Sequence, residues 1–243
     1  MSLSKLSLLT AAALLTFGGL SAHADSLTLG NFYSGTVKSN SNAGDITFKF
    51  AGSNQTESAG GGNYTGSTGV FNGKQVSFSE LFCVDLFDSI GLNSKYNATY
   101  TTNGVVNGSS VNNAAEIAWL VDFLGPEATT AAENEGLQAA IWATEYNGKN
   151  GTQTFEFLEN DNSAAVDAAY NADIAALGKN SAALSSVLWV SPTSGSGWNT
   201  TTEQGLVGLV DPPTPAVPEP GTLSLLGTGI LGLAGMVRRR MSA

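Results

Sequence analysis

Cys83, in "LFCVDL" (81–86), is the single cysteine among 243 residues. Its thiol is a nucleophile when ionised and a small hydrophobe when buried and protonated. Oxidising compartments pair or eliminate thiols, so an odd cysteine in an exported chain requires an account. Gln138, in "GLQAAIWATEY" (136–146), is the second residue of interest. Helical spacing puts Gln138, Ile141 and Trp142 on neighbouring positions of one face, which turns an amide toward the core, where it needs a hydrogen-bond partner.

Other chemistries are narrowed by what the mature chain lacks. Lys5, the uncharged apolar run 6–20 and Ala22-His23-Ala24 make residues 1–24 a signal peptide for signal peptidase, and the run is too short for a retained span. Cleavage there removes His23, the one histidine. Without imidazole, Ser-His-Asp and Cys-His hydrolysis, histidine-ligated zinc and histidine proton shuttles are excluded. No metal or cofactor is expected. "ENDN" (159–162) offers oxygens suited to calcium without the spacing of a calcium loop, and reads as a turn capping the next helix. Glu133, Glu135 and Glu145 read as a solvated helix face, and no carboxylate pair stands out for glycoside hydrolysis. Asp85 shares the cysteine's face and either orients the thiol or, with Asp88, closes the strand.

Between residues 25 and 216 the sequence has six lysines, no arginine and nineteen acidic residues, a net charge of −13. Such a surface repels nucleic acid and anionic lipid and keeps an extracellular domain soluble. Gly, Ser, Thr and Asn fill the remaining polar surface, which suits a β-rich exported domain. No repeat period is present.

The elements that must hold Cys83 and Gln138 follow from pattern. Up to about residue 112, β-prone runs alternate with Gly/Asn/Ser turns: "ITFKFAG" (46–52), "KQVSFSELFCVDLF" (74–87) and "NATYTT" (97–102) are strands, and 52–69 is a long flexible loop or hairpin tip. In the cysteine's strand Phe82, Val84 and Leu86 alternate with Leu81, Cys83, Asp85 and Phe87, and both faces are largely apolar, the mark of a covered strand. Three helices follow, over 112–125, about 130–146 and 162–178, with capping Asn or Ser residues and terminating glycines. "TQTFEF" (152–157) and "SSVLWV" (185–190) return to strand. The expected fold is α+β: a β-sandwich or barrel-like domain over 25–205 with a helical insertion.

Residues 206–216 read as a Pro-rich linker, since five of the seven prolines fall in "PPTPAVPEP" (212–220). An apolar segment, 221–237, precedes Arg238, Arg239 and Arg240. Seventeen helical residues reach about 25 Å, enough to span with the interfacial ends included. The arginines hold its end on the cytoplasmic side. Val217, Pro218, Glu219 and Pro220, the apolar helix and the arginine cluster, in that order over 217–243, resemble the PEP-CTERM sorting signal of Gram-negative bacteria. That resemblance implies anchoring in the inner membrane, processing by an exosortase, and delivery to the cell surface or an exopolysaccharide matrix.

Phe-Cys-Val on a strand and Leu-Gln-x-Ala-Ile-Trp on a later helix resemble the thioester domains of bacterial surface adhesins. The resemblance spans roughly 78–147 and implies an internal thioester between Cys83 and Gln138, formed with loss of ammonia. Phe82, Phe87, Ile141 and Trp142 would surround it and keep water away until a nucleophile, typically an amine, arrives, with Asp85 placed to orient that amine. Neither histidine nor metal is required. The expected function is covalent adhesion to an amine-bearing surface partner or matrix, a single-use reaction and not enzymatic turnover. The alternative is a non-covalent structural or biofilm-matrix protein with Cys83 and Gln138 in its core. A carbohydrate-active enzyme is a more distant third.

Overall fold

A computed structural model describes residues 25–32, 45–159, 161–196 and 199–211. The expected signal peptide, the proline-rich segment from 212, the apolar segment 221–237 and Arg238–Arg240 lie outside the described residues. Among the described residues, no helix is long and apolar enough to cross a membrane.

The strands in chain order are β1 (Ser26–Thr28), β2 (Asn31–Phe32), β3 (Asp45–Phe50), β4 (Glu57–Gly60), β5 (Tyr64–Thr65), β6 (Thr68–Phe71) and β7 (Lys74–Cys83). They continue as β8 (Lys95–Thr101), β9 (Val105–Val106), β10 (Ser109–Ser110), β11 (Phe155–Phe157), β12 (Leu188–Ser196), β13 (Asn199–Thr202) and β14 (Leu206–Val210). Six of them close an antiparallel barrel in the order β12-β14-β7-β6-β1-β8, with β8 pairing back onto β12. Closure gives each strand of the ring a partner on both sides over at least part of its length, a stable solution for short strands with one apolar face. Alternation does the sorting: Tyr96, Ala98 and Tyr100 of β8 are buried while Lys95, Asn97 and Thr99 are exposed. A three-stranded sheet, β11-β3-β4, stands beside the barrel and turns Ile46, Phe48 and Phe50 inward.

The helical insertion lies between β10 and β12. Helix α1 (Ala114–Trp119) continues into a π-turn at Leu120–Leu124 and a 3-10 turn at Gly125–Glu127. Helix α2 (Ala131–Glu145) and helix α3 (Ala164–Leu177) follow. Asn113 rather than Asn112 stands at the start of α1, with φ 51°, and both asparagines serve the end of α2: the Nδ2 of Asn113 donates to Thr144 O and that of Asn112 to Glu145 O, each at 2.7 Å. Carbonyls in the last turn of a helix have no partner within it, so these bonds tie the two helices together.

Of the expected sandwich or barrel, the structure takes the barrel, with a helical insertion, and boundaries differ. Residues 52–69 are not a flexible loop: β4, β5 and the start of β6 lie there. The domain also does not end at 205, because Leu206–Val210 pairs with β7 and β12, with Leu206 opposite Cys83. Its apolar "LVGLV" run is a central barrel strand that proximity to the prolines disguises.

Two apolar cores result. One fills the barrel and reaches under the small sheet, joining Leu81, Cys83, Tyr64, Val190 and Leu206 to Phe48, Phe155 and Trp142. The other lies between the barrel's outer face and the helices, with Phe82, Val84, Trp189 and Val207 against Ile117, Leu137 and Ile141. Strand β7 separates them, its alternate side chains facing opposite cores.

Candidate functional site: the Cys83–Gln138 pair

Strand β6 pairs only with residues 74–77 of β7, so the same edge further along lacks a strand partner. Two side-chain amides take its place. The Oδ1 of Asn63 accepts from Leu81 N at 3.0 Å. Gln138 covers Cys83 at both ends, Oε1 accepting from its N–H at 2.9 Å and Nε2 donating to its carbonyl at 2.7 Å. Both Cys83 and Gln138 are fully buried. A buried amide requires such partners, and here it finds them on the one residue that carries a thiol.

The helix that presents Gln138 is fixed at its start by a capping box. Thr130 Oγ1 accepts from Glu133 N at 3.2 Å, and Glu133 Oε2 accepts from the backbone N–H groups of Thr129 and Thr130 at 2.8 Å each. These bonds hold the Glu133 carboxyl below its usual range. Gly136 brings α2 against α3, where a Cβ would stand 2.5 Å from the Ala169 Cβ. On the barrel side Gly61 lies over the glutamine: a Cβ there would be 2.6 Å from Gln138 Cγ, 2.7 Å from Ile46 Cδ1 and 3.0 Å from the Trp142 ring.

The Cys83 sulfur sits 2.8 Å from the phenolic oxygen of Tyr64. Burial pushes the thiol up to about 12, the Tyr64 hydrogen bond opposing and Asp85 reinforcing that shift. Tyr64 is itself raised, first by burial and then by the cysteine. Its hydroxyl lies 3.3 Å from Gln204 Oε1, and Gln204 Nε2 donates to Asp85 O at 2.7 Å. A chain of polar groups thus runs from Gln138 through Cys83, Tyr64 and Gln204 to the turn after β7.

The expected surroundings are only partly assembled. Trp142 is fully buried beside the pair, its ring 6.2 Å from Phe48 and 6.3 Å from Phe155. Phe82 and Ile141 are buried in the other core, behind the strand. Phe87 is not a wall of the site: β7 ends at Cys83, the alternation stops, and Phe87 is 62% exposed, stacked 5.5 Å from Phe50. Leu86 likewise packs against the barrel core and not with Phe82. Asp85 does not reach the thiol by a hydrogen bond; its Oδ1 accepts from Phe87 N at 3.0 Å, closing the turn. Burial raises its carboxyl, and Asp88 beside it adds to the shift.

Glu145 is not on a solvated face. It is half-buried next to Asp85 and pushed up to about 7, chiefly by burial. Glu133 is the capping residue described above. Asn162, from "ENDN", pairs with Thr47, Oδ1 accepting from its N–H at 2.8 Å and Nδ2 donating to its carbonyl at 3.0 Å. Ser163 then caps α3.

Tyr64, Asn63, Gly61 and Gln204 escape the sequence reading. All but Gln204 lie in "GGGNYTG" (60–66), where small residues suggest mobility. The available signal is a lone aromatic inside a glycine-rich stretch: an exposed tyrosine has little reason to be there, and a buried one needs neighbours without side chains.

Residues 216–240 match the PEP-CTERM protein-sorting motif, one residue ahead of the expected start at Val217 and ending at Arg240. No curated protein and no solved structure matches the chain. The motif implies export, anchoring of the tail in a membrane before processing, and an exosortase as the processing partner. The chain is thus an exported protein carrying a PEP-CTERM sorting motif at its C-terminal end.

Proposed function

We propose that the exported domain is a single-use thioester module that attaches covalently to amine-bearing partners at the cell surface or in an exopolysaccharide matrix. In the forming step the Cys83 S–H bond and the Gln138 Cδ–Nε2 bond break, a Sγ–Cδ bond forms, and the proton leaves with the amide nitrogen as ammonia. An amine then attacks Cδ, the C–S bond breaks, and the partner is left on residue 138 through an amide while the thiol is regenerated. Each molecule reacts once, because the glutamine is consumed. The observation that carries this reading is the two-point docking of the Gln138 carboxamide on Cys83 itself, in a site that excludes water. Both bonds are to the Cys83 backbone, so they fix the carboxamide on the residue that carries the thiol, and proximity of this kind supplies part of what such a reaction needs. Methylamine treatment followed by peptide mapping tests it: a methylamide at residue 138, absent from the Cys83→Ala variant, is expected. An unmodified Gln138 peptide in the wild type sinks the proposal.

A second reading has its own observation. The same two hydrogen bonds complete an unpaired strand edge, and burial keeps the thiol protonated. On that reading the domain is a non-covalent structural component of the envelope or biofilm matrix, and Gln138 and Cys83 serve the core.

A further inference from the structure

The glycine-rich segment that precedes β6 brings Tyr64 both to the buried sulfur and to the lining of a pocket. Tyr64 is 1% exposed, with its hydroxyl 2.8 Å from Cys83 Sγ. The same residue lines a pocket of ≈ 370 Å³ together with Gly60, Leu86, Phe87, Asp88 and Gln204. Its roof is the turn that follows the cysteine strand. We propose that Tyr64 is the acid–base residue of the thioester chemistry, relaying a proton between Cys83 Sγ and this pocket, through which amine arrives and ammonia leaves. The inference rests on the thioester reading and adds to it a catalytic residue and a route.

The chemistry demands a relay. A sulfur enclosed in an apolar barrel resists departure as a bare thiolate, and burial here favours its protonated form strongly. The one histidine, His23, lies outside the described residues, and none of the residues around the sulfur carries an imidazole to supply the proton. When an amine opens the thioester, its nitrogen bonds to Cδ and the C–S bond breaks. Tyr64 gives its phenolic proton to Sγ and takes one from the amine nitrogen, so the phenol is restored. Formation runs the same path backward: Tyr64 accepts the thiol proton and returns one to the nitrogen that departs as ammonia.

Neighbouring groups fix the phenol for this task. Gln204 is held by its Nε2 on the Asp85 carbonyl, which leaves Oε1 to accept from Tyr64 when the sulfur carries its own proton. Once the thioester has formed, the sulfur can only accept, and the phenolic proton turns toward it. The hydroxyl can thus donate to Gln204 in one state and to the sulfur in the other, with no ionised intermediate.

The test compares wild type with Tyr64→Phe, which keeps the ring in its packing. Loss of a positioned acid–base group costs about 10²-fold or more in rate. Thioester opening by methylamine, followed by mass, should slow by about that factor in Tyr64→Phe, and the solvent deuterium isotope effect of the wild type should disappear. A wild-type rate with an unchanged isotope effect in Tyr64→Phe overturns the role of Tyr64 and leaves the thioester reading standing. A wild-type protein that never loses ammonia overturns both. If Tyr64→Phe does not fold, 3,5-difluorotyrosine placed at residue 64 keeps the hydroxyl but makes it a stronger acid. Faster opening supports the relay, and an unchanged rate overturns it.

Discussion

Gln138 is hydrogen-bonded at both ends of its carboxamide to the backbone of Cys83, at 2.9 and 2.7 Å, so that a helix side chain does what a neighbouring strand would do. The glutamine is therefore structural before it is reactive, and the two roles separate experimentally. Cys83→Ala keeps the backbone pairing and removes one buried sulfur. Gln138→Leu strands a buried N–H and a buried C=O, each worth about 1–3 kcal/mol. Neither variant can form a thioester, so their comparison is free of the crosslink. Urea unfolding should place Gln138→Leu below Cys83→Ala by about 2 kcal/mol or more. Equal stability would mean that the pairing contributes little.

Gly61 fixes how closely the barrel approaches the glutamine. An added methyl at 2.6 Å from Gln138 Cγ and 2.7 Å from Ile46 Cδ1 has no space, and the Trp142 ring closes the third side. Overpacking of this kind costs about 1–3 kcal/mol. Gly61→Ala should lower the urea midpoint and reduce methylamine incorporation at residue 138 in folded protein. Full incorporation at wild-type rate would show that the glutamine tolerates displacement.

Three half-buried carboxylates make stability depend on pH in an unusual sense. Glu80, Glu145 and Asp173 are each pushed up to about 7, first by burial. In the unfolded chain these groups titrate near their ordinary values, so between about 4.5 and 7 the folded state binds the extra protons. Stability should fall as pH rises through that window. Glu145→Gln should flatten the fall, and a thermal midpoint measured across the window checks it. A midpoint that climbs from pH 5 to 7 with the same slope in Glu145→Gln contradicts the assignment.

The helices were legible because their signals are local. The expected start near Thr130, and Ser163 with Gly178, mark ends that the structure reproduces, and the apolar face of "GLQAAIWATEY" does face the core, whereas Glu133, which reads as part of a solvated face, closes the capping box. The alternation in "SELFCV" likewise gives two covered faces. It fails after Cys83, because the strand stops and a turn closed by Asp85 redirects Leu86 and Phe87. Barrel closure could not be read at all. Which strand lies beside β7 depends on contacts far apart in sequence, such as Leu206 with Cys83, and the prolines after 211 hide that "LVGLV" is a strand. Tyr64 was hidden for the opposite reason: its neighbours are glycines chosen by packing, and glycine in a sequence reads first as a turn.

The proposed thioester requires that Cys83 and Gln138 react with each other. The most direct measurement is the intact mass of the wild-type protein beside Cys83→Ala and Gln138→Ala, purified identically and unfolded in acid so that no amine intervenes. A wild type lighter than its own sequence mass by one ammonia, with both variants at theirs, is the predicted result. A wild type at full sequence mass with a titratable thiol would contradict it.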